Sequence, residues 1–423
     1  MKTVFKNGKV FINNSFTIAD VVVHDGTVVS VSPSVTVSNT DTIVNCKNRY
    51  IIPGFADVHV HLREPGFFCK ETIATGTLAG AAAGYTSLCS MPNLNPPPDS
   101  VSNLNVEKEL IERDAKVNVY PFATLTGGQT GRGELVDYRG LLENGAVGFS
   151  DDGKGVQSEE KMLSIMREIK AIDGIISAHC EDESLLNGGY IHLGRYAKEH
   201  NHKGICSESE WGQIKRDLEL VEKTGCRYHV CHISTKESVE LIRQAKKKGL
   251  PVSCETGPHY LTLCEDDLQE DGRFKMNPPL RSREDKAALI EGILDGTIDV
   301  IATDHAPHTA EEKSRGLEKS LMGIVGLETA FPIMYTNFVK TGIISLERLI
   351  ELMCINPRKI FNLDSGLKIG KKCNMAILDL DTEYVINPDD FYSKGKATPF
   401  TGMKVFGRNM RTVVNGRTVW ERN

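Results

Sequence analysis

Long apolar runs are missing from this chain. No stretch approaches the roughly 18 uninterrupted apolar residues that a membrane helix requires, and the opening "MKTVFKNGKVF" lacks the apolar core of a signal peptide, so no membrane partner and a cytoplasmic location are expected. A surplus of positive charge is missing too. Fifty basic residues stand against 56 acidic ones, with no basic run and no aromatic-basic interleaving, which argues against a nucleic-acid partner and for a small-molecule substrate. The eleven cysteines never fall into a C-x-x-C spacing, and Cys89, Cys231 and Cys254 lie inside apolar, strand-like runs. They read as reduced, buried thiols, not as disulfides or a zinc knuckle. No H-E-x-x-H occurs, which disfavours a zinc protease.

What is present is two β-rich ends around a different middle. The first fifty residues alternate in the manner of strands, with hairpin signals at Asn7-Gly8 and Asp25-Gly26; the last fifty do the same around Asn415-Gly416. Neither end has enough strands to stand alone. Residues 1–52 and 368–423 are therefore expected to combine into one small β-sandwich domain.

Between them, residues 53–367 alternate short apolar runs with amphipathic or alanine-rich segments, the pattern of a βα repeat. Eight such runs occur, at 54–60, 85–92, 116–124, 145–150, 174–179, 226–234, 250–256 and 299–305. The segments "TIATGTLAGAAAG", "EEKMLSIMREIKAI", "ESEWGQIKRDLELVEKTG", "KESVELIRQAKKKG" and "REDKAALIEGILDG" read as helices, several closing on glycine. The fold class is α/β, a (β/α)8 TIM-type barrel. An open doubly wound sheet would need glycine-rich phosphate loops after its strands, and none is present.

Catalytic groups of such a barrel come from the C-terminal ends of its strands. There the first run ends with His59 and His61, the fourth with Asp151, the fifth with His179, the sixth with His232 and the eighth with Asp304. Four imidazoles and two carboxylates can hold two divalent ions with Asp151 between them, and zinc suits that donor set. The sequence "FSDDG" leaves Asp152 as an alternative to Asp151. Among the other histidines, strand alternation is expected to turn His229 toward the helices if His232 points inward, and His305 outward beside Asp304; His259 is placed to brace the site.

The motifs "DVHVHLREPG", "SMPNLNPPP", "GFSDDGKG", "HCED", "HVCHIST", "CETGPHY", "KMNPPLR", "TDHAPH" and "GIVGLET" together resemble bacterial class I dihydroorotase of the amidohydrolase superfamily, over essentially the whole chain. The resemblance implies that His59, His61 and Asp304 hold one zinc ion, that His179 and His232 hold a second, and that Asp151 joins them where relatives carry a carboxylated lysine. It implies reversible cyclisation of N-carbamoyl-L-aspartate to (S)-dihydroorotate and water, the third step of pyrimidine synthesis. A hydroxide held between the ions would attack the ring carbonyl, and Asp304 would act as general acid and base.

Arg63 has the fork geometry for a substrate carboxylate, and the resemblance adds Asn93 and His308 to that pocket and Asn277 at the ring edge. Left open beside these roles are a salt bridge from Arg63 to Glu64 or Glu71 and simple turn positions for Asn93 and Asn277. The polar stretch from His308 to Gly326 could close over the substrate, with Gly316, Gly323 and Gly326 as hinges. A homodimer is expected, with aspartate transcarbamoylase as an assembly partner to be considered. The rivals are another cyclic amidase, such as a hydantoinase, dihydropyrimidinase or allantoinase, and an inactive dihydroorotase-like subunit of a transcarbamoylase assembly. Arg63 and the aspartate in the bridge position speak against the first, and the full set of expected histidines and aspartates speaks against the second.

Overall fold

The two chain ends meet along one antiparallel seam. In the computed structural model, which describes residues 2–422, the strand Tyr50–Pro53 pairs with Met375–Asp379, so that Ile52 faces Ala376 and Ile51 faces Ile377. Three further strands from the N-terminal segment lie in file on one side of this seam (Lys2–Ile12, Ser15–His24, Thr27–Ser32), and two from the C-terminal segment lie on the other (Arg408–Val414, Arg417–Glu421); Thr42–Asn45 adds to Lys2–Ile12. Hydrogen bonding therefore runs through one continuous eight-stranded sheet, where a sandwich of two sheets was expected. The edge strand Thr27–Ser32 turns back to meet the segment leading into Met375, with the Val28 N–H donating to the Lys371 carbonyl at 3.0 Å. This curls the sheet around an apolar interior that includes Phe5, Val21, Val23, Met375 and Val413. Folding an edge back onto the same sheet hides backbone groups that a flat sheet would expose.

Two of the expected hairpin turns are present. Asp25-Gly26 and Asn415-Gly416 both have positive φ at each residue, as a tight two-residue hairpin requires. Asn7-Gly8 does not turn the chain. It is a bulge within Lys2–Ile12, where the Asn7 N–H donates to Asp20 Oδ1 at 2.9 Å; the turn falls at Asn13-Asn14 instead.

The middle segment supplies parallel strands. Phe55–Val60, Tyr85–Ser90 and Asn118–Pro121 form one group; Ile175–Ala178, Arg227–Val230, Val252–Thr256 and Val300–Ile301 form another. Single parallel bridges from Phe149 to Ala123 and to Ile176 join the groups on one side. On the other, His305 bridges to Val60, and the His61 N–H donates to the His305 carbonyl at 2.8 Å. The run 145–150 thus takes the fourth place only through Phe149. Gly148 lies so close to Ile175 that a Cβ there would meet its Cγ2 at 2.8 Å.

All five expected helices are present, as Ile73–Ala83, Glu159–Ala171, Glu208–Thr224, Lys236–Lys247 and Arg283–Leu294. Side chains of Thr72, Ser158, Thr235 and Ser282 cap four of their N-termini, satisfying donors that would otherwise be orphaned. All eleven cysteines are free, and of these only Cys69 is exposed. No helix among the described residues is long and apolar enough to cross a membrane.

A buried clamp fastens the parallel strands to the curled sheet. Arg358 donates to the carbonyls of Gly54 and Cys354 (2.7 and 2.8 Å) and to Thr86 Oγ1 (2.8 Å), and it lies 3.4 Å from Asp364. Asp364 in turn accepts from the Gly366 N–H, from Asn374 and from Ser87. Arg358→Ala takes the buried donor from the Gly54 and Cys354 carbonyls and leaves Asp364 without its cation. It is expected to cost about 3–5 kcal/mol, read as a lower urea midpoint of unfolding; an unchanged midpoint would remove the clamp.

Candidate metal centre

One residue apart on extended backbone, His59 and His61 turn their rings to the same side. His61 Nε2 lies 3.2 Å and His59 Nε2 3.5 Å from Asp304 Oδ1. Across from Asp304 stands Asp152. Its Oδ1 is 3.4 Å from His59 Nε2, 3.6 Å from His232 Nε2 and 3.7 Å from His179 Nδ1, and its Oδ2 is 3.5 Å from His61 Nε2. His179 Nδ1 and His232 Nε2 are 3.0 Å apart. Four histidines and two aspartates from different strand ends therefore converge on one buried point.

Asp151 is not among them. Its carboxylate accepts from the backbone N–H groups of Leu125, Thr126 and Gly131 and from the Thr126 hydroxyl, so its lone pairs are consumed in shaping the neighbouring loop. Successive residues on extended backbone point to opposite sides, which aims Asp152 inward once Asp151 is aimed out. Asp152 thus stands among the four histidines where Asp151 was expected.

Left-handed backbone explains a second departure. His232 has φ of 31°, Asp304 47° and Arg63 62°, a region that residues with side chains seldom adopt. The twist at His232 breaks alternation, so His232 reaches the centre while His229 also points inward, one layer deeper. There His229 Nε2 lies 3.1 Å from Glu255 Oε2, and its Nδ1 lies 2.8 Å from Ser253 Oγ. Expected to face the helices, His229 instead belongs to the floor of the site.

Glu255 is the residue that sequence reading missed. Its Oε1 lies 2.7 Å from His59 Nδ1, which fixes the ring so that Nε2 faces the cluster. Burial opposes its charge, yet His59 and His229 hold its carboxyl well below the ordinary carboxylate range. A glutamate inside the apolar run "LPVSCET" was the available signal, since a charge seldom enters a core strand without a partner. Asp57 works beside it, accepting the His59 N–H at 3.0 Å and the Thr303 N–H at 3.2 Å, and burial lifts it to about 7. Glu181 stands 3.5 Å from His179 Nε2. His259, the expected brace, is buried with its Nε2 unbonded, and burial followed by the nearness of His232 lowers it to about 3.

The remaining site residues are attached to this cluster. Arg63 donates from Nε to the Pro307 carbonyl at 3.2 Å and forms no ion pair among the described residues. Neither alternative partner is free for it: Glu64 accepts the Ile73 N–H, and Glu71 is engaged by Thr75, Ser393 and His305. His308 lies 3.5 Å from Arg63 and donates from Nε2 to the Met322 carbonyl; burial and the neighbouring Arg63 lower it to about 3, so it is neutral. Asn93 donates to the Asp152 carbonyl at 2.8 Å, and Asn277 to Glu181 at 3.1 Å, each leaving a buried Oδ1 without a partner. The stretch from His308 to Gly326 is pinned by Lys313, whose buried ammonium donates to the Lys275 and Leu321 carbonyls.

His59 Nε2 and Asp152 Oδ1 face each other as buried polar atoms with no hydrogen-bond partner, which suits a site whose missing neighbour is a cation. Asp152 and Glu255 raise His59 well above its usual value against the opposing effect of burial. The triads His59–His61–Asp304 and His59–Asp152–His232 each have the spacing of a metal-binding set.

Residues 48–238 match a family model described as dihydro-orotase-like. A dihydroorotase from Bacillus cytotoxicus is 48% identical over 426 aligned positions, covering 100% of this chain and 99% of that one. The chain belongs to the dihydroorotase family. A dihydroorotase from Geobacillus kaustophilus is 51% identical over 387 positions, covering 91% of this chain and 90% of that one. Among solved structures, an L-hydantoinase (dihydropyrimidinase) from Arthrobacter aurescens superimposes with a TM-score of 0.89 at 30% identity, covering 100% of this chain and 96% of that one.

Asp152→Ala is expected to weaken metal retention by about tenfold or more, and Glu255→Gln by about 10–100-fold, in dialysed protein analysed by elemental mass spectrometry. Asp151→Asn should retain metal and lose stability instead. Metal lost from Asp151→Asn but kept by Asp152→Ala would reverse the assignment.

Proposed function

We propose that this chain is a dihydroorotase that closes N-carbamoyl-L-aspartate into (S)-dihydroorotate and water, and reopens the ring, at two zinc ions on the rim of a (β/α)8 barrel. The succession of parallel strands from Phe55 round to His305, returning to Val60, supports the barrel, and the curled end sheet is read as the family's accessory domain. The donor set of imidazole nitrogens and carboxylate oxygens supports zinc, with His59, His61 and Asp304 on one ion, His179 and His232 on the other, and Asp152 between. Zinc bound there would bring a water toward neutral pKa and polarise the amide carbonyl.

The observation that carries the substrate assignment is Arg63. A guanidinium fixed through Nε, unpaired, and beside the metal cluster offers its two terminal nitrogens to a carboxylate. Neutral His308 stands alongside without adding charge. The free Oδ1 atoms of Asn93 and Asn277 can accept from ring N–H groups. In ring opening, Asp304 takes the proton released as water adds to the carbonyl and hands it to the departing ring nitrogen; in closure it moves the proton the other way. With this reading go a cytoplasmic location and a homodimer, and aspartate transcarbamoylase is a candidate assembly partner to be tested by co-purification.

The deciding assay compares ring opening of dihydroorotate with that of dihydrouracil, which lacks the carboxylate, by zinc-loaded protein. Dihydroorotate is expected to be strongly preferred. Arg63→Ala should lower kcat/KM for it about a hundredfold, roughly 3 kcal/mol, with metal content unchanged. Equal rates on both rings would make the chain a broad cyclic amidase like its hydantoinase neighbour, and activity on neither would make it a silent subunit.

A further inference from the structure

Away from the metal centre, a cavity of about 480 Å³ opens where the curled sheet meets the helices Ile73–Ala83 and Leu327–Met334. Two arginines line it, Arg408 and Arg422. Neither forms an ion pair among the described residues, and Arg408 Nε is buried without a hydrogen-bond partner. Burial and the nearness of Arg408 depress Arg422 below its usual value, with Tyr384, Tyr392 and Asp390 opposing the shift. An anion lying between the two guanidiniums would offset their mutual repulsion.

Their orientation is set by aromatic faces. Arg408 lies over the Tyr384 ring at 4.1 Å from its centroid, and Arg422 lies over Trp420 at 5.1 Å. These contacts restrain each guanidinium, and Arg422 Nε donates to the Asn409 carbonyl at 3.3 Å, leaving its terminal nitrogens for a ligand. Phe391, Tyr392 and Pro332 supply apolar wall. Buried Asn409 donates to the carbonyls of Ala81 and Ala82 and also borders the cavity.

Two carboxylates line the wall, Asp390 and Glu328, and neither forms an ion pair with the arginines. Glu328 accepts the N–H groups of Tyr392 and Ser393 at 2.9 and 3.2 Å, and burial lifts it to about 7. The cavity thus offers two guanidiniums without ion pairs beside an aromatic and apolar wall. The volume falls within the range of small-molecule sites.

We infer that this cavity is a second ligand site, built for a phosphate monoester that carries a planar, hydrogen-bonding ring, of mononucleotide size. The phosphate would lie between Arg408 and Arg422 and the ring against the Phe391–Tyr392 wall. None of these residues contacts the metal cluster, so occupancy can be read separately from turnover.

The test is calorimetric titration of the full-length, metal-loaded protein with uridine 5′-monophosphate, uridine and inorganic phosphate. Saturable binding of the monophosphate is expected, about tenfold or more tighter than either fragment, and weakened by about tenfold or more in R408Q and in R422Q. Both variants should keep basal turnover, which reports an intact fold. Should R408Q misfold, R422Q decides, because Arg422 is exposed at the rim. Unchanged affinity in the arginine variants, or no saturable binding, would overturn the site. Phosphate binding as tightly as the nucleotide would overturn the ring, and uridine doing so would overturn the phosphate.

Discussion

Glu255 carries the heaviest load in this structure. Fully buried beneath the metal cluster, it faces His59 with one oxygen and His229 with the other, and the His232 N–H approaches the first at 3.3 Å. A charge in that position is tolerable only while its partners remain, and removing one partner of such a pair typically costs 3–5 kcal/mol. It therefore ties three strands of the site together, those bearing His59, His229 and itself. Metal binding would relieve the same tension from above, since an ion on His59 Nε2 needs the proton kept on Nδ1, the side that Glu255 already occupies.

Stability and reactivity are coupled through backbone as well. Arg63, His232 and Asp304 all sit in left-handed conformations that disfavour side-chain-bearing residues, by a cost of order 1–3 kcal/mol each. Each lies where a strand has just ended and its side chain must turn back over the rim. The surrounding framework holds them there: the Asp57 carboxylate grips the backbone of His59 and of Thr303, one residue before Asp304, and the Pro307 carbonyl fixes Arg63. Rigid strands below and strained turns above are how one fold keeps six donors pointed at one another.

Much of this was legible in the chain itself. Periodicity located the parallel strands and the five helices because both rest on local rules, alternation for strands and capped 3.6-residue repeats for helices. Five of the six clustered donors followed from asking which polar residues close those strands. The misreadings share a cause. Asn7-Gly8 has the composition of a turn, but the chain continues as a strand because Asp20 holds the Asn7 N–H and Asn13-Asn14 turns the chain later. His229 was misplaced because alternation was counted back from His232, and a single residue at φ of 31° shifts the count by one. Glu255 went unseen because its reason for being buried is a histidine 196 residues away.

The pair Asp151-Asp152 shows where sequence must stop. The two share composition, spacing and neighbours, and alternation says only that they point opposite ways. The choice is made by the loop 124–131, whose backbone N–H groups at Leu125, Thr126 and Gly131 turn toward the strand end and need an acceptor. Asp151 satisfies all three, and with its lone pairs so used it would make a poor ligand even if it could reach the centre. Asp152 keeps both oxygens free because its neighbour builds the loop, and Asn93 then holds its carbonyl from the opposite side. Two identical side chains are divided between architecture and chemistry by a hydrogen-bond demand that arises some twenty residues earlier in the chain.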